Sequence, residues 1–285
     1  MSQEIQIHNA GNRYETKSFT FPGGELQVQV PGLPDAIAGD ITVLARLQSA
    51  DALIHLLLTA EVLFRAHLAG RKRLIIPYFP YARQDRVMQP GEAFSLKAVA
   101  RFVNGLGFDE VVTCDPHSDV TAALVENIRI TPQVDLVVAH QPLADLLRAE
   151  HVVVVAPDAG AMKKAFAVSQ RFVQPFIAAS KIRDTKTGSI THAQVPETPW
   201  LVGHDALIVD DICDGGRTFI ELARALKANG ANRVFLYVTH GIFSLGLGVF
   251  AGLVDGIFST DSFLSRDIES PHQSPVPLHV SPIHF

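Results

Sequence analysis

The chain has 285 residues, 47% of them hydrophobic and 19% charged, with a formal net charge of -5 and two cysteines, Cys114 and Cys213. The charged share lies below the usual value of about 25%, which argues against disorder over most of the chain. No global basic field exists to suggest nucleic acid, so an anionic substrate would have to meet local cations. Neither cysteine sits in a C-x-x-C pair, and two in a chain of this length make no disulfide framework. The first residues, MSQEIQIHNAGNRYE, lack a cationic start followed by an apolar run, so no signal peptide is expected. No apolar stretch reaches the roughly 18 residues a membrane span needs. A soluble cytoplasmic protein, free of membrane and nucleic acid, is the expectation. The twelve histidines are scattered without metal-ligand spacing, and His279 and His284 in the tail are read as incidental.

Short β-branched runs alternate with helical patterns along the chain. ITVLAR (41–46) predicts a strand, and the segment from Asp51 to Ala69 a helix ended by Gly70. RLIIPY (73–78) is the next strand. SLKAVARFVNGLG (95–107) places Leu96, Val99, Phe102, Val103 and Leu106 on one helical face, with Gly107 at the C-terminal cap. EVVTCD (110–115) reads as a strand, and a helix is expected near 142–150 after an ambiguous apolar piece. VVVVAPD (152–158), QPFIAAS (174–180), ALIVDD (206–211) and RVFLYVTH (233–240) predict further strands. GAMKKAFAV and the segment from Thr218 to Asn229 predict helices between them. Fully apolar strands joined by helices indicate parallel sheets buried on both faces. Two such sets are expected, divided as 1–144 and 145–285. The polar segment 183–205 reads as a long loop, either a functional arm or a surface hairpin. The proline-rich tail from Pro271 has no assigned element and could pack back on the N-terminal domain.

Three strands end in acids, at Asp115, Asp158 and Asp210. Ligands of open α/β sheets bind beyond the carboxyl ends of strands, although any one such aspartate could simply cap a helix. The stretch LIVDDICDGGRTF carries the densest chemistry. Gly215 and Gly216 allow a sharp turn, and Thr218 then opens a helix whose exposed N–H groups suit a phosphate. Asp210 and Asp211 would repel that phosphate but can accept from sugar hydroxyls. The loop therefore suits a phosphorylated sugar. A metal site or a helix cap remains open on pattern alone.

LIVDDICDGGRTF resembles the phosphoribosyl-diphosphate loop of the type I phosphoribosyltransferase fold. IIPYFPYARQDR (75–86) resembles a narrower signature, that of ribose-phosphate diphosphokinases, and GEAFSLKAVARFVNGLGFDEVVTCDPHS (91–118) continues the match. FPGGELQVQV (21–30), VVAPDAGAMKKA (154–165) and VTHGIFS (238–244) extend it in order from about residue 20 to 262. The resemblance implies an α/β protein of two tandem phosphoribosyltransferase-like domains, each a mainly parallel sheet flanked by helices, with the active site between them. It implies transfer of the diphosphoryl group of ATP to the 1-hydroxyl of ribose 5-phosphate, giving 5-phosphoribosyl 1-diphosphate and AMP, with Mg2+ required.

The resemblance also implies roles by position. Phe21 and Glu25 would reach the adenine, in family members from a neighbouring subunit, so at least a homodimer is expected. Arg83, Gln84, Asp85 and His117 would bind ATP. His117 and Asp158 would lie on or near the Mg2+. Lys181 and Arg183 would be the catalytic cations at the base of an arm. Asp210, Asp211, Asp214, Gly215, Gly216, Arg217 and Thr218 would hold ribose 5-phosphate. The two cysteines, flanked by acids, are expected to pack and not to react. Two departures stand out: Gly23 where the family has an aspartate, and Gly215 where it has Thr or Ser. The alternatives are a non-catalytic nucleotide-binding paralogue and a phosphoribosyltransferase.

Overall fold

The computed structural model describes residues 5–148, 151–183, 190–196, 198–263 and 274–283; the side chains of 181–183 and 190–193 lie outside that description. The chain forms two compact units, Met1–Thr131 and Pro132–Phe285. The division falls before residues 132–144, which fold with the second unit and not with the first.

The first unit runs β1 (Ile5–Asn9), β2 (Asn12–Glu15), β3 (Lys17–Thr20), β4 (Leu26–Gln29), β5 (Ala36–Ile37), β6 (Ile41–Ala45), α1 (Ala50–Arg65), β7 (His67–Leu68), β8 (Lys72–Ile75), α2 (Ser95–Gly105), β9 (Glu110–Cys114), α3 (Asp119–Leu124) and β10 (Ile128–Thr131). Its main sheet has the order β10-β9-β8-β6-β1-β2. β6, β8, β9 and β10 are parallel, while β1 is antiparallel to β6 and β2. Apolar side chains of α1 and α2, among them Leu56, Leu63, Leu96 and Val103, share one core with Ile7, Val43 and Leu74 of the sheet.

Ser49 caps α1, its hydroxyl accepting from the Ala52 N–H at 3.3 Å. The helix ends at Arg65, short of the expected Ala69. His67 and Leu68 leave it to pair with Ala36 and Ile37. Gly70 therefore serves close approach and does not cap: a Cβ there would run into the Gly39 carbonyl.

The second unit runs α4 (Gln133–Ala139), α5 (Gln141–Arg148), β11 (Val152–Ala156), α6 (Met162–Phe172), β12 (Phe176–Ala178), β13 (Ser180–Arg183), β14 (Ile190–Gln194), β15 (Asp205–Cys213), α7 (Arg217–Ala228), β16 (Val234–Gly241), β17 (Gly256–Thr260) and β18 (Leu278–Ser281). The six-stranded sheet β12-β11-β15-β16-β17-β18 is parallel throughout. Alternate residues of its strands enter different cores. Val153, Val155, Ala206 and Ile208 pack with Phe219, Leu222 and Leu226 of α7. Val152, Val154, Leu207 and Val209 pack with Val137, Leu143 and Leu147 of α4 and α5 and Ala165 and Val168 of α6. Burial on both faces is why these strands read as unbroken apolar runs.

The ambiguous piece after Pro132 is helix α4. Of the two readings of segment 183–205, the hairpin matches the strands found: β14 returns antiparallel to β13, with Ser180 opposite Gln194. In the tail, Leu278–Ser281 adds a strand beside β17, and the His279 ring stacks on Phe258 with centroids 5.0 Å apart. His284 lies outside the described residues. Among those residues no helix is long and apolar enough to cross a membrane.

Candidate active site

In the first unit, the two segments with the most distinctive charges leave from neighbouring strand ends. Beyond β8, Ile76 N–H donates to the Val112 carbonyl at 2.8 Å, and Cys114 N–H donates to Pro77 at 3.1 Å. Residues 81–86 and 115–118 thus start at one edge of the sheet. Tyr81, at φ 60°, turns the chain, and Gln84 N–H closes the turn on its carbonyl at 2.9 Å. Arg83 and Gln84 are exposed, whereas Asp85 is 6% exposed. Arg86 grips Asp85 with two bonds, Nε to Oδ1 at 2.8 Å and Nη2 to Oδ2 at 3.1 Å.

That grip chiefly lowers the Asp85 pKa, and Ser118 and the His117 ring add to it against the opposing effect of burial. Asp85 is thus held by Arg86 within its own turn. Arg83, Gln84 and His117 are left at the surface of the same edge, where cations and an amide suit a polyphosphate. Phe21 and Glu25 stand elsewhere, on the β3–β4 hairpin, which forms a two-stranded sheet of its own. Phe21 N–H donates to the Glu25 carbonyl at 2.8 Å, which closes the turn. Phe21 is 47% exposed and meets only the edge of Phe19 among the described rings, at 4.9 Å between centroids. Gly23 sits at this turn with open space where a Cβ would be.

In the second unit the acids gather at the carboxyl ends of the adjoining strands β11 and β15. Asp158 Oδ1 accepts from the N–H groups of Gly160 and Ala161 at 2.9 and 3.2 Å, so this strand-end acid does order the turn into α6. Asp210 and Asp211 lie within β15, which runs two residues past the expected end and pairs with β16 through Cys213 and Gly241. Burial, with Asp211 and Asp158 facing it, pushes the Asp210 carboxyl well above the ordinary carboxylate range. Asp211 is buried at 5% exposure, and Lys164 Nζ lies 3.5 Å from its Oδ2. Cys213 is buried, and its thiol is pushed far up by burial and by Asp210 and Asp214, so it stays protonated and inert.

Past β15 the chain turns at Gly216, with φ 78°, and α7 begins at Arg217. The turn leaves Asp214, Gly215 and Thr218 partly exposed and Arg217 exposed, beside the helix N-terminus. Lys181 and Arg183 lie on β13, which follows β12 at the same end of the sheet, where Ala179 N–H donates to the Ala156 carbonyl at 2.9 Å. The hairpin register shifts between Ile182 and Arg183. Their side chains, and residues 184–189 of the arm, lie outside the described residues.

Lys164, Arg86 and Ser118 stand beside the candidate residues, and the sequence reading did not single them out. A signal for Lys164 existed: it lies in the first turn of a helix that starts just past a strand-end acid, so it must face that edge or solvent. Replacing Lys164 with methionine removes the cation beside a buried carboxylate. We expect K164M to lose about 2–4 kcal/mol of stability at neutral pH, and less at acidic pH, where Asp211 can take up a proton instead. Thermal unfolding at the two pH values checks this; an equal loss at both would contradict it.

The same edge carries the carboxylate oxygens a hard divalent cation takes, Asp158 and Asp211 both acting on Asp210. Among the described residues no three His, Cys, Asp or Glu side chains form a ready-made metal cage. Mg2+ needs none when held by one or two carboxylates together with substrate phosphates.

Both units match known protein families. Residues 1–107 match the family model described as the N-terminal domain of ribose phosphate pyrophosphokinase, and residues 138–241 match the phosphoribosyl transferase domain. A ribose-phosphate pyrophosphokinase of Shewanella oneidensis is 34% identical over 252 residues, covering 85% of this chain and 76% of that one. The Pasteurella multocida protein of the same name is 32% identical over 262 residues, covering 88% and 79%. The crystal structure of phosphoribosylpyrophosphate synthetase from Mycobacterium smegmatis shares the fold, with a TM-score of 0.75 over 94% of this chain and 86% of that one, at 21% identity.

Proposed function

The chain belongs to the ribose-phosphate pyrophosphokinase family, and on that premise we propose that it makes 5-phosphoribosyl 1-diphosphate and AMP from ATP and ribose 5-phosphate. The observation that carries the reading is the edge of the second unit. The Asp210–Asp211 pair and a glycine turn opening a helix lie there at the end of one strand, the pair suited to sugar hydroxyls and the turn to a 5-phosphate. The donor is assigned to Arg83, Gln84 and His117 of the first unit, with Asp85 held by Arg86 inside the 81–86 turn.

In the reaction, the oxygen on C1 of ribose 5-phosphate bonds to the β-phosphorus of ATP. The bond from that phosphorus to the bridging oxygen of the α-phosphate breaks, AMP leaves with that oxygen, and the hydroxyl proton passes to solvent. Asp210 and Asp211 accept from the sugar hydroxyls and so orient C1. The helix N-terminus and Thr218 hold the 5-phosphate, and Arg217 adds charge. Lys181 and Arg183 are assigned to the oxygens of the moving diphosphoryl group, where added positive charge lowers the barrier. Asp158 is the residue that would hold Mg2+ together with the ATP phosphates, and the ion would neutralise phosphate charge.

Phe21 and Glu25 project from an exposed hairpin, which suits a contact with nucleotide in a second copy, so a dimer at least is part of the proposal. F21A is expected to raise the KM for ATP by about tenfold, the worth of one base stacked on an aromatic ring. Because Phe21 is exposed, the melting temperature should hardly move; a KM for ATP equal to that of the wild type would remove Phe21 from the nucleotide site. The reading itself is tested by AMP release from ATP, ribose 5-phosphate and Mg2+. ATP binding without turnover would favour a regulatory paralogue. Pyrophosphate release from phosphoribosyl diphosphate and a base would favour a transferase.

A further inference from the structure

Resting on that reading of the second unit, we propose that Ser244 is a positioning residue for the sugar phosphate, acting through Asp214 from a neighbouring loop. The turn after β15 is poor in side chains: Gly215 and Gly216 offer none, and Thr218 is its one hydroxyl. The chain leaving β16 folds back over this turn. Ile242 and Phe243 both donate their N–H groups to the Cys213 carbonyl, at 2.8 and 3.1 Å. Gly246 N–H then donates to the Phe243 carbonyl at 2.8 Å and closes a tight bend. Ser244 lies inside that bend, and its hydroxyl donates to Asp214 Oδ1 at 2.6 Å. A distance this short is typical of a hydroxyl held by an ionised carboxylate.

The bend is held rigidly. Phe243 has φ 47°, a conformation that a bulky residue keeps only when its surroundings over-determine it. Its ring packs edge-on against Phe250, 6.3 Å between centroids, and both rings are buried. Phe250 in turn lies directly under Gly216. Two aromatic rings thus lock the loop that carries Ser244 to the turn that carries Asp214. Ser244 itself is exposed and Asp214 partly so. The bond therefore lies on the side open to a ligand, outside the core. It fixes one oxygen of Asp214 from a second loop, and so sets the carboxylate at the entrance to the helix N-terminus. Ser244 thus adds a hydroxyl beside this turn, its proton held by Asp214.

The test compares wild type, S244A and S244T, each as the full chain. KM values for ribose 5-phosphate and for ATP are read from AMP release. Binding of ribose 5-phosphate is read separately by calorimetry with Mg2+ and α,β-methylene-ATP, which cannot give up its diphosphoryl group. S244A should weaken ribose 5-phosphate about tenfold in both KM and Kd, the worth of one hydrogen bond to a charged group. The KM for ATP should change less than about twofold, and S244T should restore the sugar affinity. An unchanged sugar Kd, an equal rise in both KM values, or no recovery in S244T would overturn the assignment. Wild type that binds ribose 5-phosphate but releases no AMP would end the proposed reaction, and the calorimetric comparison would still decide the role of Ser244. Wild type that does not bind ribose 5-phosphate would end both.

Discussion

Replacing Asp210 and Asp211 together by asparagine is expected to lower kcat/KM for ribose 5-phosphate by about 100- to 10,000-fold, the worth of two hydrogen bonds from sugar hydroxyls to charged acceptors. The KM for ATP should change by less than about threefold, since the nucleotide is assigned to other side chains. The single variant D210N has a second expected effect, on stability. Asp210 is recessed against Asp211 and Asp158, and its pKa is raised from an ordinary value of 3.8, first by burial and then by Asp211. A carboxyl whose folded pKa is raised stabilises the fold while it holds its proton. That contribution is complete below the ordinary value and is lost as the pH rises through the raised one.

Ligand-free wild type should therefore lose stability with rising pH across that window, and D210N, neutral throughout, should lose less. At neutral pH D210N should melt higher by about 2–4 °C, as expected when roughly 1 kcal/mol of charge repulsion is removed from a domain of this size. An enzyme that keeps such repulsion in place does so for a ligand that needs both carboxylates. Unchanged sugar saturation in the double variant would remove the loop assignment, and a lower melting point in D210N would contradict the electrostatic argument.

The second large effect falls on Gly216. With φ 78°, alanine there would enter a left-handed conformation, and its Cβ would lie 2.5 Å from Phe250 Cζ. Phe250 is 1% exposed and cannot step aside without opening a cavity. Left-handed strain of about 1–2 kcal/mol and overpacking of about 1–3 kcal/mol together give a loss of about 2–5 kcal/mol. Gly215, one residue away, is the control. A Cβ there would meet only the Leu245 side chain, at an ordinary 3.5 Å. G215A should be neutral, or stabilising by about 0.5 kcal/mol through the unfolded chain. Denaturant midpoints of the two variants check this, and similar values for both would contradict the account of the turn.

The parts of this molecule legible in the sequence are those where burial and chemistry leave little choice. The runs at 152–156 and 206–209 are apolar because both faces of their sheet are covered, and the acids beyond them mark the end where a ligand is met. Side-chain pairing was less legible. Asp85 looks like Arg83 and Gln84 in sequence, yet it turns inward to Arg86, and nothing in YARQDR says which carboxylate or cation is spent on its neighbour. Lys164 and Ser244 reach their acids across strands or loops remote in the chain, so only the fold brings them there. The end of α1 was missed because His67 and Leu68 fit a helical pattern and leave it for a tertiary reason, pairing with Ala36 and Ile37. The tail strand was missed because its prolines hide a short edge strand, Leu278–Ser281, that one parallel partner suffices to hold.

The central claim is that a diphosphoryl group moves as a unit from ATP to C1 of ribose 5-phosphate. Phosphorus NMR of the full chain with ATP, ribose 5-phosphate and Mg2+ reads this directly. The account expects the three ATP resonances to be replaced by those of AMP and of a sugar that carries both its 5-phosphate and a diphosphate. Formation of ADP with a singly phosphorylated C1, or no change in the ATP resonances, would contradict it.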